Sequence, residues 1–431
     1  MEIFKGKTLL LLGSNVASSD IVQYVNAQGG RTIVTDFYPR EKSKAKQFST
    51  EALMLSTADI PALKQVVAEK NVNAVLAGVS EFNILKAQEL STECQLPFYC
   101  TREQWNAIEH KGQFRAKCIE HGVPCPRTYF TGSQPDAHAL QTIEYPVIVK
   151  PVDASASTGI TICHNEGELM PAIRIACEAS GSGCIIIEQF FTGDEFTATY
   201  TVVDHQIALS VVDNRYPVTL NEGATSIPLF RSYPSTFTEE YEKQVDVPMK
   251  HLIASLGMVT GTYFVQGLYN REKNTFCMFE AGLRCAGEAP YRILDAVNGV
   301  NYLHNIVEYS LNGTVTQYDI QKEAPDLHGK KCGVLSYVSP GGIVSRIEGY
   351  DSIVKTLPSI IDAECRYKVG DTIPSGNTLR QIVLRFVLIC DSLEELANTI
   401  NRINEGISVL DANGTELCVK FDSSRLYTEF V

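Results

Sequence analysis

The chain has 431 residues, which is too long for one hydrophobic core, so two or three domains are expected. Its 37 basic and 50 acidic residues give a net charge of −13, which argues against a general nucleic-acid or anionic-membrane binder, because such proteins need excess Lys and Arg. Hydrophobic residues make up 44% and charged residues 20%, as in globular proteins, so no long disordered stretch is expected.

The thirteen cysteines are scattered and include no C-x-x-C pair, so a zinc site or redox dithiol is not indicated. Reduced thiols in a cytoplasmic protein fit this pattern best. The apolar run 9–12 is far shorter than a signal-peptide core, and no later run approaches a membrane-spanning length.

The first hundred residues alternate strand and helix patterns. Apolar runs at 8–12, 31–36 and 73–77 predict strands, with amphipathic helices between them, so a small parallel sheet of the doubly wound kind is expected to end near Thr101. Gly13-Ser14-Asn15 follows the first strand but is not a G-x-G-x-x-G, so dinucleotide binding is not supported.

Residues 103–123 have a helical pattern that Gly122 and two prolines end. Lys111 and Arg115 lie one turn apart on this helix and therefore share a face. A solvated basic face is the usual explanation for such a pair, and a basic site for a ligand is the alternative.

Residues 143–159 combine a β-branched run with a string of small polar residues. The run 147–149 predicts a buried strand that ends in Lys150 and Pro151. Residues 153–159, which include Ser155 and Ser157, leave backbone N–H groups accessible to an anion. An ammonium group beside a small-residue flap suits polyphosphate, although a surface lysine before a turn has the same pattern.

An apolar strand is predicted at 184–191, and it carries Glu188 near its end. A buried ionised carboxylate needs a partner, so Glu188 is unlike an ordinary surface acid. Glu195 lies seven residues further along, across a turn, where it either faces the same cavity or faces solvent.

Two strands at 262–269 and 275–280 predict an antiparallel hairpin, in which Gln266 and Glu280 can lie opposite each other as a two-sided oxygen site for Mg²⁺. Chance polar residues on a hairpin are the alternative. Arg284 follows, a helix is predicted at 291–311, and the sequence beyond Pro325 is strand-rich.

Taken together, these features resemble the ATP-grasp superfamily, of the biotin-carboxylase-like and L-amino-acid-ligase type. The resemblance covers most of the chain and implies an α/β and α+β multidomain architecture: an ATP-grasp fold with an N-terminal Rossmann-like pre-ATP-grasp domain and a strand-rich C-terminal module. The implied domains are 1–112 for the pre-ATP-grasp domain, 113–195 for the lid, 196–325 for the large subdomain with the hairpin, and 326–431 for the C-terminal module.

The same resemblance implies a role for each site residue. ATP phosphates would be held by Lys111, Lys150, Ser155 and Ser157. Adenine and ribose would be met by Glu188, by backbone atoms of Gln189 and Phe191, and by Glu195. Gln266 and Glu280 would bind Mg²⁺, or Mn²⁺ in its place, and Arg284 and Lys150 would be the catalytic residues. Arg292, Arg231 and Arg215 are candidates for a substrate carboxylate, and each is equally a candidate for a structural ion pair.

One position departs from the family pattern. Where the family has Glu-x-Asn-Pro-Arg, this chain has Glu280-Ala281-Gly282-Leu283-Arg284, and glycine has no side-chain ligand. Three consequences are open: water fills the position, a second metal ion binds weakly, or the protein binds nucleotide without turnover.

The function implied is an ATP- and Mg²⁺-dependent carboxylate–amine ligase that acts through an acyl phosphate on small, amino-acid-sized substrates. The alternatives are bicarbonate-dependent carboxylation through carboxyphosphate and a catalytically silent ATP-binding scaffold. The implied partners are a small-molecule carboxylate and amine and a second copy of the chain as a homodimer, with neither nucleic acid nor membrane.

Overall fold

A computed structural model describes residues 2–135, 140–154, 158–220, 226–376 and 378–428. The predicted flap residues Ser155 and Ser157 therefore lie outside the described residues. Within the described ranges, no helix combines the length and the apolar character that crossing a bilayer requires.

The N-terminal unit is a four-stranded parallel sheet in the order β3-β2-β1-β4, as the alternating pattern predicts. Its elements are β1 (Thr8–Leu12), α1 (Val16–Ala27), β2 (Arg31–Thr35), α2 (Lys44–Phe48), β3 (Glu51–Leu53), α3 (Ile60–Glu69), β4 (Ala74–Ala77) and α4 (Glu81–Glu93). The turn after β1 needs glycine, because Gly13 has φ +82° and a Cβ there would lie 2.3 Å from Nδ2 of Asn83.

The segment predicted as one helix at 103–123 is two helices. They are α5 (Arg102–Glu109) and α6 (Lys111–His121), and His110 between them has extended backbone angles. The His110 side chain accepts a hydrogen bond from the backbone N–H of Gln113, so it caps α6. The break makes Lys111 the first residue of a new helix.

The next unit is an antiparallel sheet with one helix packed on it, and the order of its strands is β5-β8-β6-β7. Its elements are β5 (Thr128–Gly132), β6 (Val147–Pro151), β7 (Thr161–Cys163), α7 (Glu166–Ala179) and β8 (Ile185–Gln189). The unit has its own small hydrophobic core, formed by alternating residues of β6 and β8 and by one face of α7. We call it the lid unit.

The central sheet is antiparallel in the order β10-β9-β13-β14. Its strands are β9 (Asp194–Val203), β10 (Gln206–Val212), β13 (Gly261–Asn270) and β14 (Thr275–Gly282), and its helices are α8 (Thr238–Tyr241), α9 (Val247–Ser255), α10 (Tyr291–Asn298) and α11 (Tyr302–Asn312). A π-helical turn joins α8 to α9, so the two helices form one nearly continuous helical segment with an irregular turn. The helix predicted at 291–311 is instead two helices, because Gly299 adopts a left-handed conformation and Asn301 caps a new start.

The last sheet is antiparallel in the order β11-β12-β15-β20-β18. The C-terminal elements are β15 (Lys331–Val338), β16 (Gly342–Ile343), β17 (Arg346–Glu348), α12 (Tyr350–Thr356), β18 (Ile360–Cys365), β19 (Thr372–Ile373), β20 (Ile382–Cys390), α13 (Leu393–Gly406), β21 (Ser408–Leu410) and α14 (Arg425–Thr428). Two strands from the central part of the chain, β11 (Asn214–Val218) and β12 (Ile227–Tyr233), extend this sheet.

The division into four domains stays a prediction, but the packing cuts across two of its boundaries. Helix α6 buries Phe114 and Cys118 in the core shared by the N-terminal and central sheets, although it was assigned to the lid at 113–195. Strands β11 and β12 share a core with the C-terminal sheet across the boundary at 326. The lid unit proper begins at β5.

Candidate functional site

The N-terminal unit, the lid unit and the β13–β14 hairpin enclose a cavity of about 840 Å³. Four predicted site residues from separate parts of the chain line it, namely Lys111, Lys150, Glu280 and Arg284. The structure therefore brings the two lysines and the acidic end of the hairpin together in one cleft. Glu81, the first residue of α4, lines the same cavity.

Two ammonium groups, those of Lys111 and Lys150, line the cavity. Lys111 begins α6, is half-buried, and donates to the carbonyl oxygen of Ala154 at 3.3 Å. Burial and the positive charge of Lys150 lower the pKa of Lys111, and the carboxylates of Glu280 and Glu188 oppose this shift. An anion bound beside Lys111 would stabilise its charged form.

Lys150 is fixed by a buried carboxylate. Glu188 is fully buried at the end of β8, with Oε2 at 2.5 Å from Nζ of Lys150 and Oε1 at 2.7 Å from Nε of Arg115. Burial raises the pKa of Glu188, but the charges and hydrogen bonds of Arg115 and Lys150 outweigh burial and leave that pKa below its usual value. Both carboxylate oxygens face cations, so the structure gives Glu188 a role in holding Lys150.

Arg115 is buried, which corrects the interpretation of a solvated basic face. Its Nη1 donates to the carbonyl oxygen of Met278 at 2.7 Å, and its Nη2 donates to that of Phe279 at 3.3 Å. One guanidinium thus joins α6, the Glu188 carboxylate of the lid unit and strand β14. The signal in the sequence was the position of Arg115 between the apolar residues Phe114 and Cys118 on the inner side of α6.

The hairpin has the register that was predicted, with Gln266 directly opposite Glu280. A bulge at Phe279 interrupts the ladder, and both Phe279 and Glu280 line the cavity. Glu280 is exposed to the cavity, whereas Gln266 is half-buried and does not line it.

Two oxygen donors on facing strands suit Mg²⁺, which is commonly held by one or two protein ligands together with water and phosphate oxygens. Among the described residues, no group of three or more His, Cys, Asp or Glu is placed to hold a metal ion by itself. The side chains present therefore fit an ion that arrives with a nucleotide.

Arg284, which also lines the cavity, is held by two neighbouring side chains. Its Nη2 and Nε lie 3.0 and 3.2 Å from Oε1 of Glu81, and its guanidinium carbon lies 4.9 Å from the ring centre of Phe264. Sequence analysis did not single out Glu81. Its signal was its position just beyond the carboxyl end of β4, where ligands of parallel sheets bind.

The residues predicted to meet adenine and ribose are not among those that line this cavity. The backbone N–H of Gln189 is already donated to the carbonyl oxygen of Arg127 at 2.8 Å. Phe191 is half-buried just after β8, and the Glu195 carboxylate is paired with Arg215. Their predicted roles stay predictions.

The three arginines considered for a substrate carboxylate are all engaged in ion pairs. Arg292 contacts Asp20 of α1 at 2.9 Å and also Asp362 of β18. Arg231 lies 2.7 Å from Asp213, and Arg215 pairs with Glu195. Each arginine was a candidate for a substrate contact or for a structural ion pair, and the structure shows ion pairs.

The chain is similar to known proteins over different lengths. Residues 128–219 match the family described as the D-ala D-ala ligase C-terminus. A formate-dependent phosphoribosylglycinamide formyltransferase of Synechococcus sp. (strain CC9311) is 27% identical over 205 residues, which is 46% of this chain and 51% of that protein. The chain spans about half the length of the first curated relatives it matches.

Solved structures match over nearly the whole chain. Phosphoribosylglycinamide synthetase from Anaerococcus prevotii has a TM-score of 0.75 at 15% identity, covering 94% of this chain and 99% of that one. The L-amino acid ligase from Bacillus licheniformis has a TM-score of 0.73 at 15% identity, with the same coverage. At these identities the likeness concerns the fold.

ATP-grasp enzymes use ATP and Mg²⁺, and a cavity lined by two lysines and by Glu280 of the hairpin is consistent with that use. The predicted architecture is confirmed, with a parallel sheet at the N-terminus and antiparallel sheets elsewhere. Residues 128–219 thus match an ATP-grasp domain family, and over nearly its whole length the chain has the fold of the solved synthetase and ligase structures.

Proposed function

We propose that this protein is an ATP- and Mg²⁺-dependent ligase that joins a small carboxylate to an amine through an acyl phosphate. The observation that carries the proposal is the convergence of Lys111, Lys150, Glu280 and Arg284 on one cavity, although they come from separate elements. Three cations and one carboxylate of the hairpin are among the residues that line the cavity, a set that suits a triphosphate with its metal ion.

Lys111 and Lys150 would neutralise phosphate oxygens, and Glu188 would keep Lys150 in place while they do so. Glu280 and Gln266 would hold Mg²⁺, which when bound screens the phosphate charge from an incoming carboxylate. The flap segment 153–159 would cover the triphosphate and exclude water, a role that stays a prediction.

In the proposed reaction, a carboxylate oxygen attacks the γ-phosphorus and the bond to the β-γ bridging oxygen breaks, so ADP leaves. The nitrogen of the amine then attacks the acyl carbon, phosphate leaves, and the nitrogen loses its extra proton. Arg284 at the cavity edge would stabilise charge on the transferring phosphoryl group. The chemistry depends on positioning and charge more than on a protein nucleophile.

The similarity in fold to an L-amino acid ligase supports substrates of amino-acid size. All thirteen cysteines are unpaired, which supports a reducing compartment, so we place the reaction in the cytoplasm. The homodimer stays a prediction, and analytical ultracentrifugation of the full chain tests it.

The test is release of ADP and phosphate from ATP and Mg²⁺ with pools of amino acids. Lys150→Ala should abolish amino-acid-dependent release, because it removes one of the two phosphate-binding amines and leaves the Glu188 carboxylate with one cation. Lys243→Ala is the matched control, since Lys243 is an exposed lysine whose one ion pair among the described residues is with Glu239, four positions earlier. It should leave the rate unchanged.

Equal rates for the parent and Lys150→Ala across broad pools would reject the proposal. Release of ADP that depends on bicarbonate and needs no amino acid would instead select carboxylation through carboxyphosphate. ATP binding without turnover in every pool would select a nucleotide-binding scaffold.

A further inference from the structure

Two neighbouring cross-strand residue pairs lie on the face of the hairpin that carries the proposed metal ligands. Gln266 faces Glu280 in one pair, and Phe264 faces Gly282 in the next. Because side chains two apart on a strand share a face, both pairs lie on one side of the sheet. The first pair supplies two oxygen donors. The second pair consists of the Phe264 ring and a glycine, which has no side chain.

The ring of Phe264 covers Gly282. A Cβ built on Gly282 would lie 2.6 Å from Cε1 and 2.8 Å from Cζ of that ring, closer than two carbon atoms approach without contact strain. Phe264 is 3% exposed, so neighbouring atoms hold the ring where it is. An oxygen-bearing side chain at position 282 would therefore require the Phe264 ring to shift.

Positive charge already occupies the space above the ring. The Arg284 guanidinium stacks over Phe264, with its carbon 4.9 Å from the ring centre, and Glu81 holds it there. A divalent ion on this side would face a guanidinium and an aromatic ring, and the nearby Glu81 carboxylate is already paired with that guanidinium. Hard cations bind oxygen ligands, so this side does not favour one.

The protein ligands also carry little negative charge. Gln266 is neutral, which leaves Glu280 as the one carboxylate of the two donor residues, and Lys111 and Lys150 line the same cavity. Two divalent ions close together usually share several carboxylates. Among the described residues, no cluster of acidic, His or Cys side chains supplies them.

We propose that the site binds one divalent ion with its nucleotide, and that Phe264, with Arg284 stacked on it, occupies the place of a second ion. This inference rests on the proposed function and narrows it. Positive charge on that side of the transferring group comes from the guanidinium and not from a metal ion. Of the three consequences left open for Gly282, it is nearest to weak binding of a second ion, which it extends to no second ion bound beside the first.

The experiment counts Mn²⁺ ions bound to the full chain by electron paramagnetic resonance, with a non-hydrolysable ATP analogue at saturation. One bound ion per protein is expected, without the dipolar broadening that two neighbouring Mn²⁺ ions produce. Two bound ions on the parent protein would overturn the inference and leave the proposed function standing. No bound ion in the presence of the analogue would overturn the proposed function and, with it, this inference.

Variants test whether the Phe264 ring is what prevents a second ion from binding. The double variant Phe264→Ala, Gly282→Asp provides both space and a second carboxylate on the face that carries Glu280, so it should bind a second ion with the coupled Mn²⁺ signal. Phe264→Ala alone provides space without a ligand and should still bind one. A double variant that folds, as judged by circular dichroism, and binds only one ion would remove the role assigned to Phe264.

Discussion

Nε of Arg115 lies 2.7 Å from Oε1 of Glu188, and both side chains are buried. This pair connects helix α6, which begins with Lys111, to strand β8 of the lid unit. The second oxygen of Glu188 contacts Lys150, so the two proposed phosphate-binding lysines belong to one network of charges. Arg115 also donates hydrogen bonds to two backbone carbonyl groups of β14, so it connects this network to the hairpin.

Replacing Arg115 should therefore destabilise the fold strongly. Arg115→Met leaves Glu188 with Lys150 as its only cation and leaves two carbonyl groups without their donor. Removing one partner of a buried ion pair costs about 3–5 kcal/mol. Urea denaturation followed by tryptophan fluorescence and circular dichroism measures the free energy of unfolding of parent and variant.

Lys117→Met is the matched control, because Lys117 lies on the same helix and pairs only with Glu120 near the surface. Such a pair contributes at most about 1 kcal/mol. If Arg115→Met costs no more than this control, the buried network does not stabilise the fold as described.

Much of the fold and part of the site follow from the sequence alone. Strong periodic patterns predicted the parallel sheet and the hairpin. The placement of Gln266 opposite Glu280 follows from the strand pairing alone. The breaks at His110 and Gly299 were missed, because a single residue that ends a helix leaves the hydrophobic period almost unchanged on either side.

Long-range ion pairs could not be predicted from the sequence, for a different reason. Arg115 and Glu188 are 73 residues apart, and Arg284 and Glu81 are 203 apart. A charged residue in a helical pattern is usually solvated, and only the tertiary fold shows whether an opposite charge meets it. Gly282 was recognised from the sequence as a departure from the family pattern. The Phe264 ring that packs against it lies on the opposite strand of the hairpin, which the sequence alone does not show.

Gly282→Ala should be destabilising even though alanine suits a strand better than glycine. The added methyl group would lie 2.6 Å from the Phe264 ring, and overpacking of a rigid site costs about 1–3 kcal/mol. Gly287→Ala is the control, because a Cβ there meets no atom within 4 Å. Thermal unfolding of both variants compares the two costs, and equal melting temperatures would show that the ring moves aside freely.

Arg292→Met should affect stability and leave substrate affinity unchanged. Arg292 joins Asp20 of the N-terminal unit to Asp362 of the C-terminal sheet, so its loss leaves both carboxylates without this partner. Charged hydrogen bonds of this kind contribute about 1.5–3 kcal/mol. Denaturant titration measures the loss, and Asp20→Asn with Arg292→Met should cost less than the sum of the single variants.

A rise in the KM for the carboxylate substrate in Arg292→Met, without a loss of stability, would contradict the structural role. It would instead restore the prediction that this arginine contacts the substrate. The same comparison made with Asp362→Asn, which removes a partner and keeps the arginine, separates the two roles.

Glu323 should make the stability of the protein depend on pH between about 4.5 and 7. Burial raises the pKa of Glu323 to about 7, and the hydroxyl groups of Ser210, Thr201 and Tyr318 offset burial only in part. In that interval the unfolded chain has lost the proton that the folded protein keeps, so stability falls as the pH rises and levels off above 7. The full effect is at most about 3 kcal/mol.

Glu323→Gln keeps the shape of the protonated carboxyl group without its ionisation, so the pH dependence should flatten and the variant should gain stability over the parent near pH 8. Free energies of unfolding from urea titrations at pH 5, 6, 7 and 8 measure this gain. Glu405→Gln, at the exposed end of α13, is the control and should follow the parent at every pH. Parallel curves for Glu323→Gln and the parent would show that Glu323 ionises in the folded protein as it does in the unfolded chain.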